Sequence, residues 1–444
     1  MSVWNIVKKV IAREEWHPFF TYPLFLLRVA RLRSGYARLE RACRGKRLQG
    51  RKLKVLFLVS NCSKWKSQSL YETFANGSVF DPLLAITFCD DELYLSDTEL
   101  QARIDADASF YERLGDKWTM ACDVKTRTVF DLRRFEPDVV FFQVPWGLMG
   151  AQRVCEVARY ALTCYIPYAL ECFDQTRRKS RRFDFNHMAN FQQLLWLFTL
   201  VSENYAAYTR QPHFDFERAG RVMGLGHTAL DPFSRKRDEN ADGDLVIFAP
   251  HFSFPWNGVV PIMNHSTFHW SGKPMLEYAK AHPEIKWAFK PHPLLRGRLI
   301  ENGFMTEAEV DRYYREWEEI GIACYDGGYA DLFRRSRALI TDSGSFLLEY
   351  MAVGRPLIRL EPVDFNMRFS PVFRRVLESF YTCRSVDEML VALRTVVENR
   401  QDPRCGERQA AAREAGLYGN DAAGRIAAYL SERLEGCRLS GEMV

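Results

Sequence analysis

Short apolar runs alternate with segments of helical length along most of this chain, and this order limits the folds available to it. The run KVLFLVS at 54–60 is apolar and rich in β-branched residues, as is typical of a strand buried on both faces. Similar runs return after each helical stretch, for example PDVVFFQ at 137–143 and ALITD at 338–342. The alternation predicts parallel sheets, because parallel neighbours need a long connection and a crossover helix supplies it.

The alternation occurs twice, on either side of one polar segment. Residues 231–244 (DPFSRKRDENADGD) are charged and contain Pro and Gly, which is typical of an interdomain linker. The chain has 444 residues, more than one hydrophobic core usually supports. The sequence therefore predicts an α/β protein with two Rossmann-like domains that face a cleft. We expect a basic helical leader at 1–53, domain one at 54–230 and domain two at 245–444.

Local periodicity and turn residues place the individual elements. In domain one we expect strands at 54–60, 82–88, 137–143, 164–169 and 221–226. We expect its helices at 97–114, 148–160 and 187–200. In domain two we expect strands at 245–250, 286–290, 322–325, 338–342 and 356–360, with helices at 273–282, 306–319, 329–335 and 345–353. A helical region at about 385–435 follows.

The charge of the chain is distributed unevenly. The formal net charge is +5, but residues 1–54 carry 14 basic and three acidic side chains, a local balance of +11. The remaining residues carry 47 basic and 53 acidic groups, a balance of −6. A mildly acidic folded body lacks the basic face of a general nucleic-acid binder, so we expect no nucleic-acid partner.

The leader has the composition of a segment that lies at a membrane surface. An apolar stretch at 19–27 precedes a run with eight Arg and three Lys between Arg28 and Lys54. Such a segment can bury apolar side chains while its cations meet anionic head groups, which predicts peripheral association with the inner face of the cell membrane. The alternatives are a solvated basic helix docked on the acidic body, or a helix packed into domain one. The stretch is too short to span a bilayer and does not resemble a secretory signal.

The cysteines and histidines show no metal-site spacing. Eleven cysteines are scattered along the chain without a CxxC pair, so we interpret them as reduced thiols of a cytoplasmic protein. His265 and His269 are four residues apart, but no third ligand is positioned beside them. We expect neither a metal nor a cofactor.

One strand end carries the pattern of a phosphate site. The sequence TDSGS at 341–345 passes from a predicted strand through a small turn into a helix, where free backbone amides can bind an anion. Asp342, Ser343, Gly344 and Ser345 would form this turn, with Gly344 allowing close approach of an oxyanion. Glu349 follows one turn into the helix and could accept ribose hydroxyls. The alternative is that Asp342 or Ser343 only caps the helix.

A second strand end carries a histidine between two prolines, in KPHP at 290–293. A rigidly held histidine can act as an acid or base, or donate to phosphate oxygens, so His292 is a catalytic candidate. Lys290 and Arg296 would add positive charge for a donor. His251, at the end of the predicted strand LVIFAP, is the expected partner of His292. A structural histidine in a turn is the competing interpretation.

A basic run in domain one has two interpretations. It reads RRKSRR and its cations are Arg177, Arg178, Lys179, Arg181 and Arg182. The run could be a solvated loop, or it could hold the anionic backbone of an acceptor or lie near the membrane.

With these residues in place, domain two resembles the CDP-glycerol glycerophosphotransferase family, which builds teichoic-acid and capsule polymers. KPHP at 290–293 and TDSGSFLLEYMAVGRPLI at 341–358 carry the resemblance, which extends over roughly 160–430. It implies a fold similar to two-domain GT-B glycosyltransferases and UDP-sugar epimerases. His292 matches the functional histidine of the family, and Asp342 and Ser345 match the segment whose hydroxyls bind the donor diphosphate.

The chain also departs from that family. Ser343 and Gly344 give the turn the epimerase form, in which Glu349 is implied as a ribose ligand. The family's Trp-His-Gly motif is absent, and YIPYALE at 165–171 stands in its place. His251, Glu171 and His292 therefore remain the candidates for a general base.

The resemblance implies transfer of an alditol phosphate from a CDP-alditol to a lipid-linked glycan or polymer, with release of CMP. One alternative is a GT-B glycosyltransferase that uses a nucleotide-sugar donor for capsule or O-antigen. Another is an inactive module that binds phosphate-rich polymers.

Overall fold

A computed structural model describes residues 17–170, 172, 191, 194–210, 221–234, 244–254, 264–325, 329–365, 367–417 and 421–435. The strands of domain one are β1 Leu53–Val59, β2 Phe80–Ile86, β3 Trp118–Met120, β4 Cys122–Asp123, β5 Thr128–Val129, β6 Val139–Phe142, β7 Leu162–Tyr165, β8 Leu197–Thr199 and β9 Arg221–Met223. Domain two contains β10 Leu245–Ala249, β11 Lys286–Phe289, β12 Ile322–Ala323, β13 Ser336–Thr341, β14 Leu357–Leu360 and β15 Tyr381–Cys383.

Helices connect these strands. The first part of the chain has α1 His17–Leu48, α2 Gln68–Asn76, α3 Asp97–Arg113, α4 Val154–Val157, α5 Glu203–Arg210 and α6 Asp231–Ser234. The second part has α7 Phe268–Ala281, α8 Leu295–Glu301, α9 Glu307–Ile320, α10 Ala330–Arg335, α11 Gly344–Val353, α12 Arg374–Glu378, α13 Val386–Leu393, α14 Cys405–Glu414 and α15 Ala422–Glu435.

Each domain is built on one parallel sheet, as the alternation predicts. The seven-stranded sheet has the order β3-β2-β1-β6-β7-β8-β9, and the six-stranded sheet has the order β12-β11-β10-β13-β14-β15. All strand pairs within these two sheets are parallel; β4 and β5 form a separate antiparallel pair. Both orders start from a central strand and reverse direction there, which places the carboxyl ends of the central strands at a crevice. The predicted α/β fold with two Rossmann-like domains is confirmed.

The central strand of domain two separates two apolar clusters. Val246 and Phe248 of β10 point to one face and pack with Trp287 and Phe289 of β11. Alternate residues of β10, such as Ile247, point to the other face, into a cluster that continues into the core of domain one. This partition follows from the two-residue period of a strand. The two domains thus share buried apolar surface.

Most expected elements are present, and two of the predicted helices differ from the structure. Every predicted strand is found, but the helix predicted at 187–200 is wrong where residues 197–199 form strand β8. The segment 194–201 is a continuous run of mostly apolar, buried side chains, and such a run does not distinguish a buried strand from a buried helix. Of the helix predicted at 148–160, only a short turn and α4 form.

The second half of the leader packs on domain one. Leu32, Tyr36 and Cys43 of α1 are buried. The Tyr36 hydroxyl lies 2.5 Å from Thr163 Oγ1 of β7, and Glu40 accepts a hydrogen bond of 2.7 Å from the indole N–H of Trp196. This part of the leader is therefore the helix packed into domain one that the sequence left as an alternative.

The inner cations of α1 are paired with the body of the protein. Lys46 forms an ion pair of 2.6 Å with Asp138, and Arg47 forms one of 2.9 Å with Glu435. Part of the +11 balance of the leader is thus compensated within the fold. Among the helices the structure describes, none combines the length and the apolar character needed to cross a membrane.

The last helix returns to domain one. α15 follows domain two in the chain but packs against α1 and α2. Asp231, the first residue of the predicted linker, fixes the start of α15. One carboxylate oxygen accepts from the N–H of Ala422 at 2.8 Å; the other accepts from the N–H of Ala423 at 3.0 Å and from the Ser69 hydroxyl at 2.6 Å. One carboxylate therefore joins the linker, α2 and α15.

Replacing Asp231 with Ala should lower the free energy of unfolding by about 2–3 kcal/mol, because three donors lose a charged acceptor. The matched control is Asp421→Ala at the same end of α15, since the exposed carboxylate of Asp421 accepts only from the N–H of Gly424 at 3.0 Å in the described structure. That change should cost about 1 kcal/mol or less. Urea unfolding of both variants measures the difference, and equal costs would show that Asp231 is an ordinary cap.

Candidate functional site

Three neighbouring strand ends meet in domain two. Strands β11, β10 and β13 are adjacent, and the segments that follow them carry His292, His251 and Asp342. Main-chain contacts hold two of these segments together, since the N–H of His292 donates to the carbonyl of Pro250 at 2.9 Å. The residues selected from the sequence at separate strand ends are thus brought to one edge of the sheet, where ligands bind in open α/β sheets.

Asp342 joins the segments around the site. One oxygen of its carboxylate accepts from the N–H of His251 at 2.6 Å. The other accepts from the N–H and the hydroxyl of Thr267 at 2.7 and 3.0 Å. Burial raises the pKa of Asp342 to about 7, and these hydrogen bonds oppose the shift. Groups of the chain itself occupy both oxygens, so Asp342 organises the site. The sequence instead placed Asp342 among the residues that contact the donor.

Three histidine rings lie together beside Asp342. The ring centroids of His251 and His292 are 5.0 Å apart, and those of His251 and His265 are 5.2 Å apart. Nδ1 of His251 accepts the N–H of Ser253 at 3.2 Å, and Nδ1 of His292 accepts the N–H of Leu294 at 3.1 Å. These contacts assign the proton of each neutral ring to Nε2.

The environment keeps the rings of His251 and His292 neutral near pH 7. Burial lowers the pKa of His292 to about 4, and the charge of Lys290 adds to the shift. The pKa of His251 is lowered well below its usual value by burial and by the neighbouring histidines. Phe252 packs on both rings, with centroid distances of 4.3 Å to His292 and 4.5 Å to His251. His292 is the more exposed of the two, so it is the one that a substrate can reach.

The two cations expected near His292 lie in different environments. Lys290 is 4% exposed at the end of β11, where it contributes charge from within the domain. Arg296 is exposed, and its guanidinium pairs with Asp311 at 2.6 Å and Glu307 at 3.4 Å. These acidic side chains of α9 hold Arg296 at the surface, so its expected contact with a donor has no support in the geometry.

The start of α11 has open hydrogen-bonding capacity. The helix begins at Gly344, and Ser343 is its N-cap residue without a side-chain capping hydrogen bond. The Ser343 hydroxyl is therefore not used as a cap, although the sequence left that role open. Ser345 is exposed in the first turn. The first amides of a helix have no partner within the helix, so this end offers donors to an anion. Gly354 ends the helix with a φ of 74°, a conformation that glycine adopts without strain.

Glu349 lies farther along α11 and is 2% exposed. Its Oε2 accepts the hydroxyl of Tyr329, and that hydroxyl in turn accepts from Nζ of Lys66 in domain one. Burial raises the pKa of Glu349, whereas Lys66 and Tyr329 oppose the rise. The carboxylate expected to bind ribose is thus connected to the other domain.

Aromatic and basic side chains follow the central strands of domain one. The rings of Trp146 and Tyr168 are 5.4 Å apart, and Lys64 Nζ lies 5.6 Å from the Trp146 ring. Lys64 and Tyr168 line a pocket with residues that follow β1, β6 and β7. The sequence-predicted Glu171 and the basic run at 177–182 lie outside the described residues, so their roles stay predictions.

A metal-ligand grouping is found elsewhere. Within the part of the chain that the structure describes, Cys89, Asp91 and Glu92 bring ligand atoms close enough to share an ion. Glu92 already pairs with Arg103 at 2.8 Å, and burial raises the pKa of the Cys89 thiol to about 11. A protonated thiol and a paired carboxylate are weak ligands, and we assign no role to this group.

Sequence reasoning missed three residues that shape the site: Thr267, Tyr329 and Lys66. Thr267 begins the segment leading into α7, and Tyr329 precedes α10. Neither position carries a local signal, because their partners are 75 and 20 residues away. Lys66 follows β1, and its position after a central strand of a parallel sheet is the signal that could have identified it.

The chain matches no protein-family model and no curated protein. Its fold is similar to solved structures at low identity. A UDP-N-acetylglucosamine 2-epimerase is 11% identical with a TM-score of 0.53, over 88% of this chain and 99% of that one. UDP-GlcNAc 2-epimerase from Neisseria meningitidis bound to UDP-GlcNAc is 12% identical with a TM-score of 0.52, over 86% and 100%.

A variant of the wall teichoic acid polymerase TagF is also similar, at 10% identity and a TM-score of 0.51, over 86% of this chain and 89% of that chain. Likeness at this level of identity shows the fold alone. Two Rossmann-like domains of the GT-B type are therefore shown for this chain.

Replacing Asp342 with Ala should lower the free energy of unfolding by about 3 kcal/mol, because three buried donors lose their acceptor. The control is Thr267→Val, which removes the hydroxyl but leaves both backbone donors paired; we expect a cost of about 1 kcal/mol. Urea unfolding at pH 8, where the wild-type carboxylate is ionised, measures both variants. A cost for Asp342→Ala no larger than that of the control would contradict this role.

Proposed function

We propose that the protein transfers an alditol phosphate from a CDP-alditol to a hydroxyl of a lipid-linked glycan or polymer. The observation that supports this best is the arrangement on α11, where the open helix start and Glu349 share one helix beside His292. A diphosphate at the first turn and a ribose near Glu349 fit this spacing. TagF, whose structure was also studied after a soak with CDPG, shares the fold.

The proposed reaction is a direct displacement at phosphorus. An acceptor hydroxyl attacks the β-phosphorus, a new oxygen–phosphorus bond forms, and the bond to CMP breaks. The proton of the hydroxyl passes to a neutral histidine. Charge on the equatorial and leaving oxygens would be stabilised by the amides of α11 and by the hydroxyls of Ser343 and Ser345, which act chiefly by position.

His292 is the proposed general base; because the lone pair of its neutral ring lies on Nδ1, that atom exchanges the N–H of Leu294 for the acceptor hydroxyl before it takes the proton. Its low pKa leaves the imidazole unprotonated at neutral pH, and it is only partly buried. His251 is fully enclosed and lies against it, so we assign His251 to positioning that ring. Lys290 contributes positive charge beneath the donor without being exposed.

A nucleotide-sugar glycosyltransferase of the GT-B type is the second candidate. Two observations favour it: the turn has the Ser-Gly form with Glu349, and a structure of similar fold holds UDP-GlcNAc. The two candidates differ in whether phosphorus or an anomeric carbon is attacked.

Release of nucleotide from defined donors separates the candidates. Purified protein is incubated with CDP-glycerol, CDP-ribitol and UDP-sugars in the presence of lipid-linked acceptors. Release of CMP supports the proposal, release of UDP alone supports the second candidate, and no release with any pair supports a binding module without activity.

In the same assay, His292→Ala should reduce turnover by about 100-fold or more, because a positioned base is lost. His269→Ala is the control, since that histidine is exposed on α7. The base must be unprotonated, so kcat/KM should fall as the pH drops towards about 4, through the pKa of His292, and an earlier fall near pH 7 would report protonation of Asp342. Near-native turnover of His292→Ala would remove this residue from the mechanism.

We further propose that the outer face of α1 docks on an anionic membrane. Arg31, Arg38 and Arg41 are exposed there, whereas Glu40, the sole carboxylate between residues 30 and 54, is buried on the inner face. These three arginines recur at helical spacing and form a cationic face that no carboxylate of the described residues pairs with. These exposed arginines are distinct from Lys46 and Arg47 on the inner face of α1, which form ion pairs with the body of the protein.

The triple variant Arg31→Gln, Arg38→Gln, Arg41→Gln should bind phosphatidylglycerol-containing vesicles about 100-fold more weakly, at about 1 kcal/mol per cation. Vesicles of phosphatidylcholine alone serve as the neutral reference. The control variant removes three exposed arginines of domain two, Arg312, Arg315 and Arg394, and should bind as the wild type does. Binding in co-sedimentation should also weaken with added salt, which screens surface charge. Equal binding by all three proteins would exclude docking through this face.

A further inference from the structure

We propose that Lys66 of domain one is a positioning residue of the nucleotide site in domain two, acting through Tyr329 on Glu349. This inference rests on the proposed function, in which Glu349 accepts the ribose hydroxyls of the donor. It adds a residue from the opposite domain and makes the ribose end of the site depend on the approach of the two domains.

The first support is a continuous set of contacts across the cleft. Nζ of Lys66 donates to the hydroxyl of Tyr329 and also lies 4.5 Å from the centroid of its ring. The same hydroxyl donates to Oε2 of Glu349. Lys66 belongs to the segment after β1, and both partners belong to domain two. The contacts between Lys66, Tyr329 and Glu349 therefore require the two domains to lie against each other.

The second support is that aromatic side chains of domain two hold the ring of Tyr329. Its ring packs on Phe333 of α10 at a centroid distance of 4.9 Å and on Phe346 of α11 at 5.0 Å. The ring thus has a fixed position, and its hydroxyl can orient one oxygen of Glu349. In the part of the chain that the structure describes, Oε1 of Glu349 accepts no hydrogen bond, so that oxygen can accept a ligand hydroxyl.

The third support is electrostatic. Glu349 is buried, and Lys66 is the cation whose charge acts on it most directly. A buried carboxylate costs free energy unless a cation or hydrogen bonds compensate it. Domain two supplies the tyrosine hydroxyl but takes the cation from domain one. An ionised, oriented Glu349 is thus favoured in the arrangement in which the domains meet.

The expected consequence is a link between Lys66 and recognition of the ribose hydroxyls. CDP and 2′,3′-dideoxy-CDP are titrated into the full-length protein by calorimetry, and the ratio of their dissociation constants is the measured quantity. We expect a ratio of about tenfold or more for the wild type, since hydrogen bonds to a carboxylate are lost in the dideoxy compound. Glu349→Gln should bring the ratio close to one.

The variants Lys66→Met and Tyr329→Phe should also lower the ratio, to about threefold or less, mainly by weakening the binding of CDP. Methionine retains the apolar stem of lysine, and phenylalanine retains the ring packing on Phe333 and Phe346, so both variants should fold. Lys66→Arg should retain most of the wild-type ratio. Lys117→Met is the control in domain one, because exposed Lys117 pairs with Asp81 at 3.3 Å instead, and it should keep the wild-type ratio.

The outcomes distinguish this inference from the function on which it rests. One outcome is that Glu349→Gln brings the ratio of dissociation constants close to one, while Lys66→Met and Tyr329→Phe keep the wild-type ratio. In that case the ribose role of Glu349 stands and this inference is wrong. If Lys66→Met weakens both compounds equally, Lys66 is a general cation for the diphosphate and the inference is again wrong. If the wild type does not bind CDP, the proposed function fails and the inference fails with it.

Discussion

The site depends on one buried carboxylate that forms no ion pair within the described part of the chain. Asp342 receives two backbone N–H groups and one hydroxyl, and these donors come from segments that are separate in the chain. Burial still raises its pKa to about 7, which shows that the hydrogen bonds offset only part of the desolvation cost. The interaction fixes His251 beside β13 and sets the start of α7. The position of His292 follows, because its N–H is bound to the carbonyl before His251.

The sequence was most informative where a local pattern and the topology act together. Short apolar runs identified the parallel strands, and the carboxyl ends of those strands directed attention to His251, His292 and the turn before α11. The same reasoning gave Glu349 its place on the helix. It could not assign the role of Asp342, because the residue type fits a ligand contact and an internal hydrogen-bond acceptor equally well. Its partners, in segments about 75 to 91 residues away, decide between these roles.

Charge was the second limit of the sequence. A positive side chain in the sequence does not show which carboxylate lies near it in space. Arg296 was expected at the donor, but α9 brings Asp311 and Glu307 to it. The local charge balance of the leader is +11, but its cations lie on two different faces of α1. Lys46 and Arg47 pair with the body, while Arg31, Arg38 and Arg41 stay exposed. Net charge therefore described the leader less well than the helical positions of its residues.

Asp342 and Glu349 solve the same physical problem in different ways. Both are carboxylates buried in domain two, and burial raises the pKa of each. Asp342 is stabilised by donors from its own domain, so the segments around it are held together within domain two. Glu349 relies on Tyr329 and on a cation from domain one, so its environment is complete when Lys66 is in place. Under the proposed function, a donor would meet a preformed phosphate end first. The full interaction with its ribose would then favour the approach of domain one, which carries the acceptor.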